Sequence, residues 1–422
     1  MFHIIKAIII SLILLFVSFS SVNAIDICNK NTTEIADWTV ILYLNGDNDL
    51  ESKVKKVINN LETVGSTSDV NVIVQFDAFD LFEGIKRYHI TKDDSNEITS
   101  TVVKTLDEES MGNSDTLANF VSWACENYPA EKYYVSLFDH GNGWRPRFMK
   151  DETDNDELDL EELETALTSV RKNIGRKIDL LSFDACLMGM AEVLYQLRWD
   201  VKVAIGSEDV VYGDGLPYHL FLSRLLRNPS MNEVDLAEII VDWYSNFYSG
   251  FSMAMGAFYI NSLKEEVIEK SLDNFAILLK NRFSQYKDEI LDAIENTQPF
   301  NVFYNGEKIE TNYRDLYDFA YEISIRIDDE EIDNAANKLM DDIETCTIKV
   351  QHNRKPDAHG ISVYLPTSKK DYDSTYVNID FTKNTNWDEF IDECLSKTRI
   401  LFPILQKIIS RLLQPLLKDN IL

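Results

Sequence analysis

Apolar residues recur along this chain in short runs bounded by Gly, Asn and Asp, and between the runs they return at helical spacings of three and four. Trp38 to Leu44 is the first run, a strand by its branched and aromatic content. It passes into a turn cluster, Asn45-Gly46-Asp47-Asn48-Asp49, and then a helix starting near Leu50. Val70 to Phe76, Arg87 to Ile90, Tyr133 to Phe138, Ile178 to Phe183 and Val201 to Ile205 read as further strands, with helical patterns such as Ser114 to Asn127 and Leu158 to Val170 between them. Strands alternating with helices predict an α/β fold, a mainly parallel sheet flanked by helices on both faces. From Met231 to about Phe300 the pattern turns helical, interrupted by the small and apolar Phe251 to Tyr259, another strand candidate. Ile361 to Leu365, stopped by Pro366, reads as a late strand returning to the sheet. No repeat of solenoid or propeller period is visible.

The two ends follow different rules. Lys6, the apolar Ala7 to Phe19 and the small-residue site Val22-Asn23-Ala24 form a secretory signal over residues 1–24, with an apolar stretch too short for a comfortable membrane span. A linker over 25–37, a catalytic core over 38–255 and a C-terminal region over 256–395 containing the late strand 361–365 follow as expectations. The tail, 396–422, carries Leu401, Ile404, Leu405, Ile408, Leu412 and Leu416 on one stripe with Lys407, Arg411 and Lys418 opposite. It reads as an amphipathic helix that docks on protein or makes peripheral membrane contact through 400–418; Lys407, Arg411 and Pro415 argue against a span.

Charge narrows the partners. The 422 residues include 41 basic and 71 acidic side chains, for a formal charge of −30, which repels nucleic acid and suits a basic peptide. An exported chain can form disulfides, yet five cysteines leave at least one unpaired, and Cys186 is the one expected to be free. Cys125 lies in a helical stretch and reads as a small buried apolar residue. The four cysteines other than Cys186 allow three pairings, or none.

The chemistry gathers at two strand ends. Tyr133 to Phe138 runs into Asp139-His140-Gly141-Asn142-Gly143-Trp144, and Ile178 to Phe183 into Asp184-Ala185-Cys186-Leu187-Met188-Gly189. A parallel sheet brings an imidazole and a thiol to one edge in this way, the edge where open α/β sheets keep their sites. A cysteine nucleophile needs a base and exposure. His140 supplies the base, and the helical pattern from Gly189 to Leu197 is expected to favour the thiolate through its positive end. The amides of Gly141 and Cys186 are the expected oxyanion donors.

These segments carry a specific resemblance. With Trp38 to Glu51, Gly206-Ser207-Glu208, Gly213-Asp214-Gly215, His359 to Pro366 and Trp387 to Phe390, the chain resembles the clostripain family of cysteine peptidases, in the clan of caspases, gingipains and legumains. The likeness runs from residue 38 to about 395, and the His140-to-Cys186 spacing is close to the roughly 50 residues of caspases. It implies a caspase-like fold and hydrolysis of peptide bonds after Arg or Lys by a dyad, Cys186 as nucleophile and His140 as general acid/base. It further implies Asp184 as the carboxylate that receives the cationic side chain, with Asp214 as a second wall and Ser207 lining the same pocket. Self-cleavage is implied in the 145–157 loop, which holds Arg145, Arg147 and Lys150 before an acidic run; Lys150 is the first candidate and Arg147 the second. The chemistry requires no cofactor or metal. Calcium stays open through the carboxylates Asp47, Asp49 and Glu51. Two alternatives also stay open: a silent module of the same fold that binds basic peptides, and a form held on a membrane by the tail.

Overall fold

The computed structural model describes residues 35–79, 84–260, 265–304 and 307–398. The expected signal, most of the expected linker and nearly all of the expected tail helix lie outside these residues.

Nine strands form one sheet in the order β13-β10-β9-β8-β5-β1-β2-β3-β4. Its centre is parallel: β1 (Ala36–Gly46), β2 (Val70–Ala78), β5 (Ala130–Phe138), β8 (Ile178–Asp184) and β9 (Val201–Ser207). The flanks are antiparallel: β3 (Lys86–His89) and β4 (Thr101–Thr105) at one side, β10 (Met253–Tyr259) and β13 (Thr347–Asn353) at the other.

The central strands are apolar continuously because both faces are covered. In β1, Val40, Leu42 and Leu44 enter one core while Ile41 and Tyr43 enter the other. The first core takes Val54 and Ile58 from the helix Glu51–Glu62, Phe221 from Tyr218–Leu225 and Ile240 from Glu233–Phe247. The second takes Leu117 from Ser114–Asn127 and Leu163 from Leu160–Ile174. It continues into the C-terminal region through Phe275, Phe319, Leu339 and Phe390.

Two expectations need correction. The late strand does not rejoin the main sheet. It is β14 (Ser362–Tyr364), paired antiparallel with β12 (Glu307–Asp315) in a small sheet that also holds β11 (Pro299–Tyr304). The edge next to β10 is taken instead by β13, whose half-buried polar pattern hides it from a hydrophobicity reading. The 145–157 segment is also more ordered than an exposed polar loop. β6 (Phe148–Asp151) and β7 (Asp156–Leu158) form a hairpin there, anchored by buried Phe148 and Met149. The end of the acidic run caps the helix Leu160–Ile174, through Asp159 and Glu162 in a reciprocal capping box.

Candidate active site

β5 and β8 end level with each other. Phe138 pairs with Asp184, and the Asp139 amide donates to the Asp184 carbonyl at 3.3 Å. His140 and Cys186 each stand two residues beyond that pair, so the register alone sets their backbones side by side at one end of the sheet. Gly141 closes the approach: a Cβ on it would lie 2.3 Å from the Cys186 carbonyl oxygen and 2.8 Å from its nitrogen. The two backbones pack so closely that any side chain at 141 would separate them.

The histidine loop is held from below. Asp139 is buried, and its carboxylate accepts from Asn45 Nδ2 at 2.6 Å, Asn48 Nδ2 at 2.9 Å and the His140 amide at 2.5 Å. Both asparagine carboxamides also donate to the Lys150 carbonyl, at 2.8 and 3.0 Å. Burial pushes Asp139 up to about 7, against the pull of the His140 amide, the imidazole and the two asparagines. The imidazole is half exposed, and its Nε2 pairs with Asp49 Oδ1 at 2.7 Å.

The thiol is half-buried. Cys186 Sγ receives the Val211 amide at 3.2 Å and faces the Val211 carbonyl at 3.6 Å. The neighbouring residue, Leu187, takes the left-handed region at φ 65° and donates its amide to the Asp209 carbonyl at 3.2 Å, stitching the cysteine loop to residues 209–211. Burial pushes the thiol up to about 11, opposed by the Val211 amide and reinforced by Asp209 and Asp184. The expected lowering by a helix end is absent for a geometric reason. The helix begins at Ala191, five residues on, and spans only Ala191–Gln196.

Residues 42–394 match the Peptidase_C11, or clostripain, family. The chain belongs to the clostripain family. It is a cysteine-type endopeptidase with a caspase-like α/β fold. Clostripain of Hathewaya histolytica is 25% identical over 428 aligned residues, which span 85% of this chain and 79% of that protein. A secreted C11 cysteine protease from Bacteroides thetaiotaomicron, solved with an irreversible peptide inhibitor, has the same fold with a TM-score of 0.61 at 20% identity, over 84% of this chain and all of that one. An inactive zymogen C11 protease from Parabacteroides distasonis gives 0.61 at 20% identity, over 83% and 98%.

In this clostripain-family chain the remaining candidates separate. Asp184 is buried under the thiol loop; its Oδ2 accepts from the Leu216 amide at 2.8 Å and the Tyr218 hydroxyl at 2.9 Å, while Oδ1 has no donor. Burial pushes it up to about 7. Gly215, at φ 68°, lies against the same carboxylate, where a Cβ would come within 2.6 Å of Oδ2. Asp214 does not join it. Its oxygens pair with Lys53 at 2.8 Å and Lys56 at 3.0 Å on the surface, so its charge is already matched. Ser207 is fully buried, donating to the Ala254 carbonyl at 2.8 Å and accepting from the Asp209 amide, and it offers no hydroxyl to a ligand.

Arg147 is exposed at the turn before β6 with φ 86°, whereas Lys150 sits inside that strand with its carbonyl held by Asn45 and Asn48. Arg145 is engaged elsewhere: it donates to Tyr313 Oη at 2.9 Å and the Thr311 carbonyl at 3.1 Å, and lies over the Trp144 and Tyr364 rings. Tyr313 Oη in turn donates to the Asn142 carbonyl at 2.7 Å, tying the histidine loop to the C-terminal region. Asn45, Asn48 and Asp139 escaped the sequence reading, which took the Asn45–Asp49 run as a turn, and Asp49 entered it only as a possible calcium ligand, not as the partner of His140. Its position directly after a strand of the same sheet was the available signal.

Proposed function

We propose that this chain is a secreted zymogen of a cysteine endopeptidase that cuts after Arg or Lys, with Cys186 as nucleophile and His140 as general acid/base. The observation that carries the reading is the level ending of β5 and β8, with Gly141 against the Cys186 backbone. His140 takes the Cys186 thiol proton as Sγ attacks the scissile carbonyl carbon, and the amides of Gly141 and Cys186 receive the oxyanion. His140 protonates the leaving amine, and water then hydrolyses the thioester with His140 as base.

Asp184, with one oxygen lacking a donor, is the carboxylate that meets the substrate cation. Asp214 and Ser207 play no direct part in this pocket. The raised thiol and its bonds to Val211 describe a resting state, and cleavage in the 145–157 segment releases it. Arg147 is the better exposed bond and Lys150 the second. The same reading puts the catalytic core at 38–255 and gives residues 256–395 a supporting role. A secreted relative and the signal at 1–24 support export; among the described residues no helix is long and apolar enough to cross a membrane.

Wild type and Cys186→Ala, assayed on fluorogenic Arg, Lys and Asp peptides, test this. Arg or Lys cleavage lost in the variant is expected. Cleavage of the Asp peptide alone defeats the specificity, and activity retained in the variant defeats the nucleophile.

A further inference from the structure

Aromatic side chains gather beside the sulfur. Val211, whose amide meets Cys186 Sγ at 3.2 Å, is followed by Tyr212. The Tyr212 ring stacks on Tyr248 with centroids 4.9 Å apart, and Phe251 leans on Tyr212 at the same 4.9 Å. Phe247 meets Tyr248 edge-on, again at 4.9 Å. The four rings come from the loop after β9 and from the turn between the helix Glu233–Phe247 and β10. Hydrogen bonds lock loop and turn together. Tyr212 Oη donates to the Ser252 carbonyl at 2.8 Å, Ser252 Oγ to Asp209 Oδ2 at 2.8 Å, and Tyr248 Oη to the Gly215 carbonyl at 2.9 Å. Gly215 is the residue packed against Asp184, so Tyr248 braces one wall of the proposed cation pocket. The outer rings nevertheless stay in water: Phe247 is 47% exposed and Phe251 52%. Apolar side chains clustered on a surface in this way mark contact with a partner, and here the cluster is continuous with the cleft.

We propose that Tyr212, Phe247 and Phe251 form an aromatic shelf that receives the substrate side chain directly before the scissile basic residue, and that the shelf selects apolar and aromatic residues there. The assignment rests on Cys186 as nucleophile and Asp184 as the cation's partner. Placement decides the position. The basic side chain reaches Asp184 beside Gly215, and Tyr248 ties the shelf to Gly215, so the shelf borders the acyl side of the scissile bond. An extended peptide advances about 3.3 Å per residue. Tyr212 stands one residue beyond Val211 at the sulfur, so the substrate residue one step before the basic one falls beside its ring. Chemistry decides the preference. The Tyr212 and Tyr248 hydroxyls are spent on backbone carbonyls, and Arg354, which reaches this turn, is bonded to the Gly250 carbonyl at 2.8 Å. The shelf therefore offers ring faces to its occupant, and an apolar side chain gains by leaving water against them. The rings are already braced, so binding orders little.

Processed wild type is assayed on fluorogenic peptides that differ only in the residue before Arg: Phe, Leu, Asp or Gly. The kcat/KM for Phe and for Leu is expected to exceed that for Gly by about tenfold or more. Phe251→Ser should bring the Phe-to-Gly ratio down to about threefold or less, while Phe251→Tyr keeps it high. Reading a ratio cancels any general loss of enzyme, and melting of the same variants in the Cys186→Ala background checks the fold. A ratio near one in wild type would overturn the shelf, as would a high ratio that survives Phe247→Ser combined with Phe251→Ser. A preference for Asp over Phe would hand the site to Arg354 and overturn the choice of apolar residues. An equal advantage with Phe moved one position further from Arg would overturn the placement. A chain that cuts after Asp and not after Arg defeats the cation pocket instead, and the same variation before Asp then reads the shelf by itself.

Discussion

His140 Nε2 lies 2.7 Å from Asp49 Oδ1, while the sulfur it is proposed to serve bonds to the Val211 backbone. The Asp49 side chain is 78% exposed, and exposed ion pairs contribute at most about 1 kcal/mol. Asp49→Ala should leave Tm unchanged and lower kcat/KM by less than about tenfold, against a loss of about a thousandfold for His140→Ala. Steady-state kinetics with an Arg peptide settle it. An Asp49→Ala loss equal to that of His140→Ala would make Asp49 a full third member of the machinery.

Asp184 predicts a pH dependence. Burial raises its folded value to about 7, so the carboxylate is largely neutral below that pH and ready for a cation above it. KM for an Arg peptide should fall as pH rises from 6 to 8, and Asp184→Asn should raise KM and flatten the profile. Stability runs the other way. A carboxyl raised above its unfolded value of about 4 favours the fold fully below that value and loses this contribution as pH rises through about 7. The Tm advantage of wild type over Asp184→Asn should therefore shrink between pH 5 and pH 8.

The Cys186 thiol, pushed up to about 11, should be nearly inert in the uncleaved chain. At pH 7 only about one molecule in ten thousand would carry thiolate. Iodoacetamide labelling of an Arg147→Ala/Lys150→Ala chain should be slow and rise about tenfold per pH unit toward 11. Processed wild type should label at least about a hundredfold faster at pH 7. Equal rates, read by mass spectrometry, would remove the resting-state explanation.

Gly141→Ala should cut activity by about a hundredfold without unfolding the chain. The added methyl, 2.3 Å from the Cys186 carbonyl oxygen, must push that backbone by about an ångström, and displacement of that size costs about a hundredfold in rate. Paired measurements of Tm and kcat/KM distinguish this from general damage.

Arg145 joins the histidine loop to the C-terminal region through Tyr313, Thr311 and the Trp144 and Tyr364 rings. Arg145→Ala should cost about 2–3 kcal/mol of stability, from a charge-assisted hydrogen bond and desolvated cation–π contacts. Arg145→Lys should recover only a part, because an ammonium cannot reproduce the planar fork. Urea titration of the inactive Cys186→Ala chain provides the measurement.

The central strands were legible because each is buried on both faces. Ile178 and Val201 start strands where the apolar runs start, and Ser114–Asn127 is a helix with the bounds that its spacing predicts. That His140 and Cys186 leave neighbouring strands at one end of the sheet was legible because each follows its strand's last apolar residue by two or three positions. What escaped depended on distant partners. The polar β13 is a strand only because β10 offers it an edge, and β14 is drawn to β12. Asp214 looked like a pocket wall until Lys53 and Lys56, on a helix far away in sequence, neutralised it. Glu108 follows β4 and Asp77 lies in β2, and nothing local to either announces that they meet Asp47 and Asp151.

The pairing of Phe138 with Asp184 has a consequence for tracing relatives. Once two neighbouring rungs of a ladder fix where imidazole and sulfur emerge, the connecting chain is at liberty to lengthen or shrink without moving either. A search that demands a set residue count between them would discard true kin. One that asks for His-Gly and Asp-x-Cys, each straight after an apolar strand, would keep them.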